Sequence, residues 1–555
     1  MKRRKNALKK SKLFFGTVVT AALLASGCGD SENFVFTNTG IVNPGISAPL
    51  AVNDSFNALG NATLNRTAPN GVLTNDTLNG AEIIGFDSVG DSGGTLTLNA
   101  DGSLNYTPVF GFVGAESFSY TIANAAGEST ATVTFTSTAS GFFVDNTAPD
   151  GGNGSQAAPF DTLAEAVAAA NSGDTVFVAT GNGTNSGLTG LINLPPGVDL
   201  IGQGQGLVVS QTIEPVGNPP VVQGPIVCGG DNTVSGLILE GSASNAIDVE
   251  GVGDVIVSNN TIRGQAEEAV FLTDTTSTVT ISGNTFEDPP NTNVAYICSE
   301  NADTDGDLVI TDNIFTNASG NDVEALAYVG PLGNSVMDVT FSGNTANGTA
   351  ADQFDLGLFV AAADTSQVDV VASDNTMNNF INEPVALFAG DPTSSVSGTV
   401  TGNTITNVST ETGVTAILNA GSLTVIGNII SGTAGPNIYI DVFLQGDFVI
   451  QNNQLSDSAV DNLLFEGGGG DSTISILDNT MTTGTNHSIH LDWSSADDLC
   501  AVITGNTVGD DLFLDQAGPG TFFVQDLNSL STLNTLNGNI VDTQGNVVEG
   551  DCVLP

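Results

Sequence analysis

The chain has 555 residues and a formal net charge of −51, with 60 acidic residues against nine Lys plus Arg and two His. Seven of the nine cations fall within the first twelve residues, which leaves only Arg66 and Arg263 for the rest of the chain. Phosphate backbones are bound through cations, so nucleic acid is excluded as a partner, and a bare polyanion is disfavoured unless Ca²⁺ bridges it.

Residues 1–27 read as an export signal. Lys2, Arg3, Arg4, Lys5, Lys9, Lys10 and Lys12 precede an apolar run from Leu13 to Leu24, and small residues follow. Ala25-Ser26-Gly27-Cys28 resembles the bacterial lipobox, where the leader is cut before a cysteine that becomes acylated. The resemblance implies a lipoprotein with palmitate-type chains on Cys28, each buried methylene contributing about 0.8 kcal/mol to membrane anchoring. Position 29 is Gly rather than Asp, which implies the outer membrane or cell surface. Residues 28–49, rich in Gly, Asn, Ser and Pro, read as a flexible tether.

Over 50–137, short alternating runs are cut by the turn pairs Asn70-Gly71, Asn79-Gly80, Gly93-Gly94 and Asp101-Gly102, the pattern of a small β-sandwich. The corner Gly71 to Asp76, the turn Asp101 to Pro108 and the strand residues Phe118 and Tyr120 resemble bacterial cadherin-like or Ig-like modules. Glu116 stands where that family usually has Asp. The resemblance implies a spacer or adhesion unit without catalytic groups.

From 142 the pattern changes. Thr162 and Glu165 form a capping box, and Leu163, Ala166, Val167 and Ala170 line one face of a helix near 162–171. Strands follow at Thr175–Val178 and Val198–Gly202. The segment resembles the entry of secreted β-helices, in which a helix covers the open strand edges of the first turn.

A short phrase then repeats ten times, as in VTISGNTF and AVITGNTV. Its asparagines are Asn260, Asn284, Asn313, Asn344, Asn375, Asn403, Asn428, Asn453, Asn479 and Asn506, spaced 24 to 31 residues apart. The residues three before and two after each Asn are apolar throughout, so a strand lies on either flank of a tight corner. The small or polar residue plus Asn suits the left-handed backbone of such a corner. Period and alternation together mark a solenoid of three-stranded turns, with the asparagines stacked as a ladder. The pattern resembles the right-handed parallel β-helix of the pectate-lyase-like superfamily over 142–555. The fold class is thus all-β, a parallel β-helix preceded by an Ig-like sandwich.

The strand 12–14 residues before each ladder Asn carries Asp441, Glu466 and Asp492, and extrapolation adds Asp515. Alternation turns these outward together with Tyr439, His490 and Phe513, and sends Ile440, Val442, Leu491 and Leu514 inward. Carboxylates one turn apart raise each other's pKa or share a cation, and their spacing suits a retaining glycosidase pair. His490 beside Asp492 is a candidate acid/base group. The superfamily resemblance implies otherwise for elimination, which uses an arginine or lysine base: the nearest cation, Arg263, is far away in sequence. The Gly-His-Gly and Arg-Ile-Lys motifs of polygalacturonase-like members are missing too.

Asp303, Asp305 and Asp307 surround Gly306 in a run resembling a calcium loop, although the bidentate Glu of an EF-hand is missing. Calcium is therefore the candidate cofactor. Beyond Cys28 there are Cys228, Cys298, Cys500 and Cys552. Four cysteines allow three pairings, and Cys500 with Cys552 is preferred because the C-terminal tail must fold back over the last turn. The expected role is a lipid-anchored surface rod for adhesion, display or glycan binding, with a carbohydrate or a surface protein as partner. The alternative is a polysaccharide lyase or glycoside hydrolase acting from the Asp441–Asp515 face.

Overall fold

The computed structural model describes residues 46–555 except 251–252, 274–276, 290–293, 299–305, 318–322, 483–484, 543–544, 551 and 553–555. The export signal, Cys28 and nearly all of the tether lie outside the described residues. Asp303 and Asp305 do so as well.

The first module is a two-sheet sandwich. One sheet pairs Gly127–Val144 antiparallel with Gly114–Asn124 and parallel with Asp54–Gly60, and adds Glu82–Phe86 at the edge. The other places Leu104–Thr107 between Leu64–Arg66 and Thr95–Leu98. Strict alternation puts Leu96, Leu98, Tyr106, Phe118, Tyr120, Val133 and Phe135 in the core. There the Tyr106 and Phe135 rings stack with centroids 4.1 Å apart. Glu116 is buried and stays satisfied: it accepts hydrogen bonds from the backbone N–H of Ser92 (2.8 Å) and Gly94 (3.1 Å) and from the Tyr106 hydroxyl (2.9 Å).

The strand Gly127–Val144 carries on past the sandwich, and Gly141–Val144 pairs in parallel with Thr175–Val178, the first strand of the solenoid. A hairpin, Leu207–Val209 with Gln211–Glu214, reaches back from the solenoid and buries Leu207 and Ile213 in the sandwich core. Sandwich and solenoid therefore share a continuous strand and a common apolar contact. The helix Leu163–Ala169 starts at Thr162, whose side chain accepts from the Glu165 N–H, and buries Leu163 and Ala166 in the first turns.

Three stacks of parallel strands follow, each turn pairing residue for residue with the next, as in Val257 with Ile281, Ile281 with Ile310 and Ile310 with Phe341. The apolar residues on both flanks of each corner fill the tube, including Ile262, Phe286, Phe315, Met377 and Ile430. Phe286 and Phe315 stack inside it at 5.0 Å.

The corner itself divides its work between two positions. The residue before each ladder Asn has positive φ in all ten turns: Asn259, Gly283, Asp312, Gly343, Asp374, Gly402, Gly427, Asn452, Asp478 and Gly505. All are Gly, Asn or Asp, the residues that tolerate a left-handed backbone. The ladder Asn stays outside that region and bonds instead. Its backbone N–H and its Nδ2 both donate to Oδ1 of the next Asn, at 2.9–3.0 and 2.8–3.1 Å. Nδ2 also donates to a strand carbonyl of the preceding turn. An eleventh member, Asn534, closes the column by accepting from Asn506 and donating to Ile503 and Leu530.

The ten repeated asparagines are at most 2 % exposed and Asn534 is 6 % exposed, so breaking one rung strands buried donors and acceptors. Asn428→Ala orphans the Asn403 N–H and the Val400 carbonyl. It is expected to cost about 3 kcal/mol, read as a lowered urea midpoint at unchanged slope.

Candidate functional site

The strands Ile438–Gln451, Leu463–Gly467, His487–Trp493 and Asp511–Gln516 lie side by side in one sheet of the solenoid. Their alternation buries Ile440, Val442, Phe465, Leu491 and Leu514. The outward positions form two columns. Asp441 pairs with Glu466, Glu466 with Asp492, and Asp492 with Asp515. Beside them Tyr439 pairs with Leu464, Leu464 with His490, and His490 with Phe513. Adjacent strands are about 4.7–4.9 Å apart, so the four carboxylates crowd along one line.

Crowding and partial burial set the protonation states. Burial, then the charge of Glu466, pushes Asp441 up to about 6. Glu466 accepts a 2.8 Å hydrogen bond from the Tyr439 hydroxyl, and burial followed by that bond raises the phenol. Asp492 is raised by burial and by Asp515 against the opposing pull of His490. Among the described residues its buried Oδ1 has no hydrogen-bond partner.

Next to the Asp441 end lies a shallow cleft of about 360 Å³, lined by Glu383, Glu411, Thr412, Thr415, Ile417, Pro436, Tyr439, Leu464 and Glu466. Glu383, raised by burial and then by Glu411 and Asp355, and Glu411 itself are members that sequence reasoning missed. They sit on the loops ahead of the strands, where alternation carries no information. A larger cleft of about 400 Å³ beside the helix Leu163–Ala169 is lined mostly by apolar residues, with Thr189 and Asn193 the polar side chains in its wall.

At the other end of the face, both histidines turn to a residue that the strand pattern did not single out. Asp461 is buried, and its two oxygens face His487 Nδ1 at 2.9 Å and His490 Nδ1 at 3.3 Å. Burial acts against both charges. The hydrogen bonds and mutual attraction prevail, holding Asp461 below the usual carboxylate range and His490 above the usual imidazole range. The Phe513 ring lies against both imidazoles, with centroids 4.6 and 4.7 Å away. The signal that would have found Asp461 is the turn period: Leu463 pairs with Ile489, which sets position 461 level with 487.

The remaining sequence candidates lie elsewhere. Of the calcium run, the described Asp307 is exposed at a strand start, where its carbonyl accepts from the Val279 N–H. Cys500 and Cys552 form a disulfide with Cα atoms 5.6 Å apart, tying the C-terminal tail to the last turns. Cys228 is free and buried, and burial pushes its thiol up to about 12, which removes it as a nucleophile. Neither of the two described arginines pairs with the acidic columns. Arg263 is clamped between Glu240 (2.8 Å) and Glu287 (2.9 Å), and Arg66 covers the Phe56 ring.

Residues 46–136 match the family model of the Bacterial Ig domain. Residues 147–381 match that of a family described as Protein of unknown function (DUF1565), a span that stops short of the Asp441–Asp515 face. No curated protein matches the chain. Among solved structures, the A-module of mannuronan C-5 epimerase AlgE6 from Azotobacter vinelandii aligns at 10 % identity. That alignment covers 70 % of this chain and 93 % of the module with a TM-score of 0.26, too low to carry chemistry across.

The raised Asp441 carboxyl has a sign-definite consequence. Its folded pKa near 6 exceeds the reference of 3.8, so its favourable contribution is present below 3.8 and is lost as pH rises through 6. That rise corresponds to about 3 kcal/mol, and solvent screening of this partly exposed group reduces it to about 1 kcal/mol. Asp441→Asn should therefore raise the melting midpoint at pH 7.5, and the difference should vanish as pH falls below 4.

Proposed function

We propose that this chain is a surface rod, held at the membrane through an acylated Cys28, that binds neutral glycans without cleaving them on its outward face from Glu383 to Asp515. The observation that carries the reading is the cleft beside Tyr439. It sets apolar surface from Ile417, Pro436 and Leu464 next to the carboxylates of Glu383, Glu411 and Glu466. A sugar ring has apolar faces and a rim of hydroxyls, and a concave site of mixed lining with a few fixed acceptors meets both. The in-register columns continue this surface along the rod, so a linear glycan meets the same kind of acceptor at each turn.

Electrostatics supports binding of neutral sugars over elimination on acidic ones. A polyuronate approaching a chain of net charge −51 is repelled. Both arginines, the cations left beyond the first twelve residues, are engaged elsewhere. A second reading, glycoside hydrolysis, is favoured by one feature: Asp441, pushed up to about 6, stands in register beside Glu466, as an acid beside a nucleophile would.

One experiment separates them. On a panel of neutral polysaccharides the chain should bind at least one, and Tyr439→Ala together with Glu411→Gln should weaken that binding about tenfold or more, a loss of about 1.4 kcal/mol. No reducing ends should appear. Release of reducing ends that is lost in Asp441→Asn would establish hydrolysis instead, and failure to bind any member of the panel would end the glycan reading.

A further inference from the structure

We propose that Asp461, His487 and His490 form a binding site for one divalent transition-metal cation of borderline softness, zinc fitting best. The inference is independent of the glycan reading.

The chain contains two histidines in 555 residues, and both point a ring nitrogen at one buried carboxylate. One donor atom from each of the three residues lies within 4.8 Å of the others. Donors about 2.0–2.1 Å from a tetrahedral zinc ion are separated by about 3.3 Å. His490 Nδ1 stands 3.3 Å from Asp461 Oδ2 and His487 Nδ1 2.9 Å from Asp461 Oδ1, so the two nitrogens face different oxygens of one carboxylate, and a small rotation of that carboxylate brings a single oxygen to ligand spacing from both. Two imidazoles and one carboxylate suit zinc and its neighbours in the first transition row; calcium and magnesium prefer all-oxygen sets.

The surroundings hold these donors in place. The His487 backbone N–H donates to Asp461 Oδ1 at 2.9 Å and orients the carboxylate. Phe513 packs on both rings and limits their rotation. Asp492, Glu466 and Asp515 place negative charge on the same face, which favours a cation. The Asp461 side chain is 8 % exposed, while the His487 and His490 side chains are 26 % and 20 % exposed. The ion would thus sit with its carboxylate ligand inward and a fourth position open to water. Binding would displace the imidazole–carboxylate hydrogen bonds and release any proton they carry.

The test uses the full chain without a polyhistidine tag, in excess Ca²⁺ and Mg²⁺ to occupy nonspecific acidic sites. With two histidines, nitrogen-15 spectra hold two imidazole spin systems. Zinc should bind one per chain and shift a ring nitrogen of both, and Co²⁺ should give a visible absorption band that zinc abolishes. His487→Ala and His490→Gln should each lower zinc affinity by about 100-fold, with circular dichroism reporting that the variants remain folded. Unshifted imidazoles at excess zinc would overturn the proposal without reference to any variant, leaving a hydrogen-bonded His–Asp–His cluster. Zinc binding undiminished in a variant that combines His487→Ala with His490→Gln would overturn it as well.

Discussion

The stacked corner amides are the constraint on which the rest of this molecule depends. A parallel solenoid is held turn to turn by backbone bonds that would form equally well one or two residues out of step. A buried Asn admits no such slip, because each Oδ1 serves two donors of one neighbour and each Nδ2 serves acceptors on both sides. Any offset leaves buried polar groups unpaired at a cost of about 1–3 kcal/mol each. The left-handed residue just before it gives the same corner a fixed shape in every turn. Turn lengths vary between corners, yet the strands return to register because the ladder resets them.

That reset is what makes long-range chemistry from local sequence. Asp441, Glu466, Asp492 and Asp515 come from four turns, and Asp461 meets histidines 26 and 29 residues further on. The outward positions are free of packing demands, so the face can accumulate carboxylates that a globular core would reject. The result is a line of acids in which burial and like charge raise Asp441 and Asp492, ending at a carboxylate kept ionised by two imidazoles.

Much of this was legible in the chain because the ladder writes itself into the sequence as a repeated phrase. The inward and outward sets of the carboxylate strands follow from alternation alone, as Ile440 and Asp441 illustrate. The corner's division of labour was blurred, because Gly, Asn and Asp before the Asn look like one mixed position until their φ angles are seen. Asn534 escaped notice because the helix Leu530–Leu533 replaces the usual strand before it. Asp461, Glu383 and Glu411 lie off the regular strands, where alternation labels no residue, and Asp461 is marked only by the turn period that sets it level with His487. The hairpin at Leu207–Glu214 was hidden for another reason: its apolar residues serve the neighbouring sandwich, so they do not follow the solenoid's own pattern.

The most direct test of this account is disulfide trapping between turns. In-register neighbours on adjacent parallel strands lie within the 4.4–6.8 Å Cα range that a disulfide spans. With cysteines at positions 466 and 492, outward and paired, mild oxidation followed by peptide mapping should give one intramolecular cross-link in high yield. A control pair at 466 and 491, one outward and one in the tube, should give none. Cross-linking of the control pair, or of neither, would mean that the turns are not in the register that assembles the face.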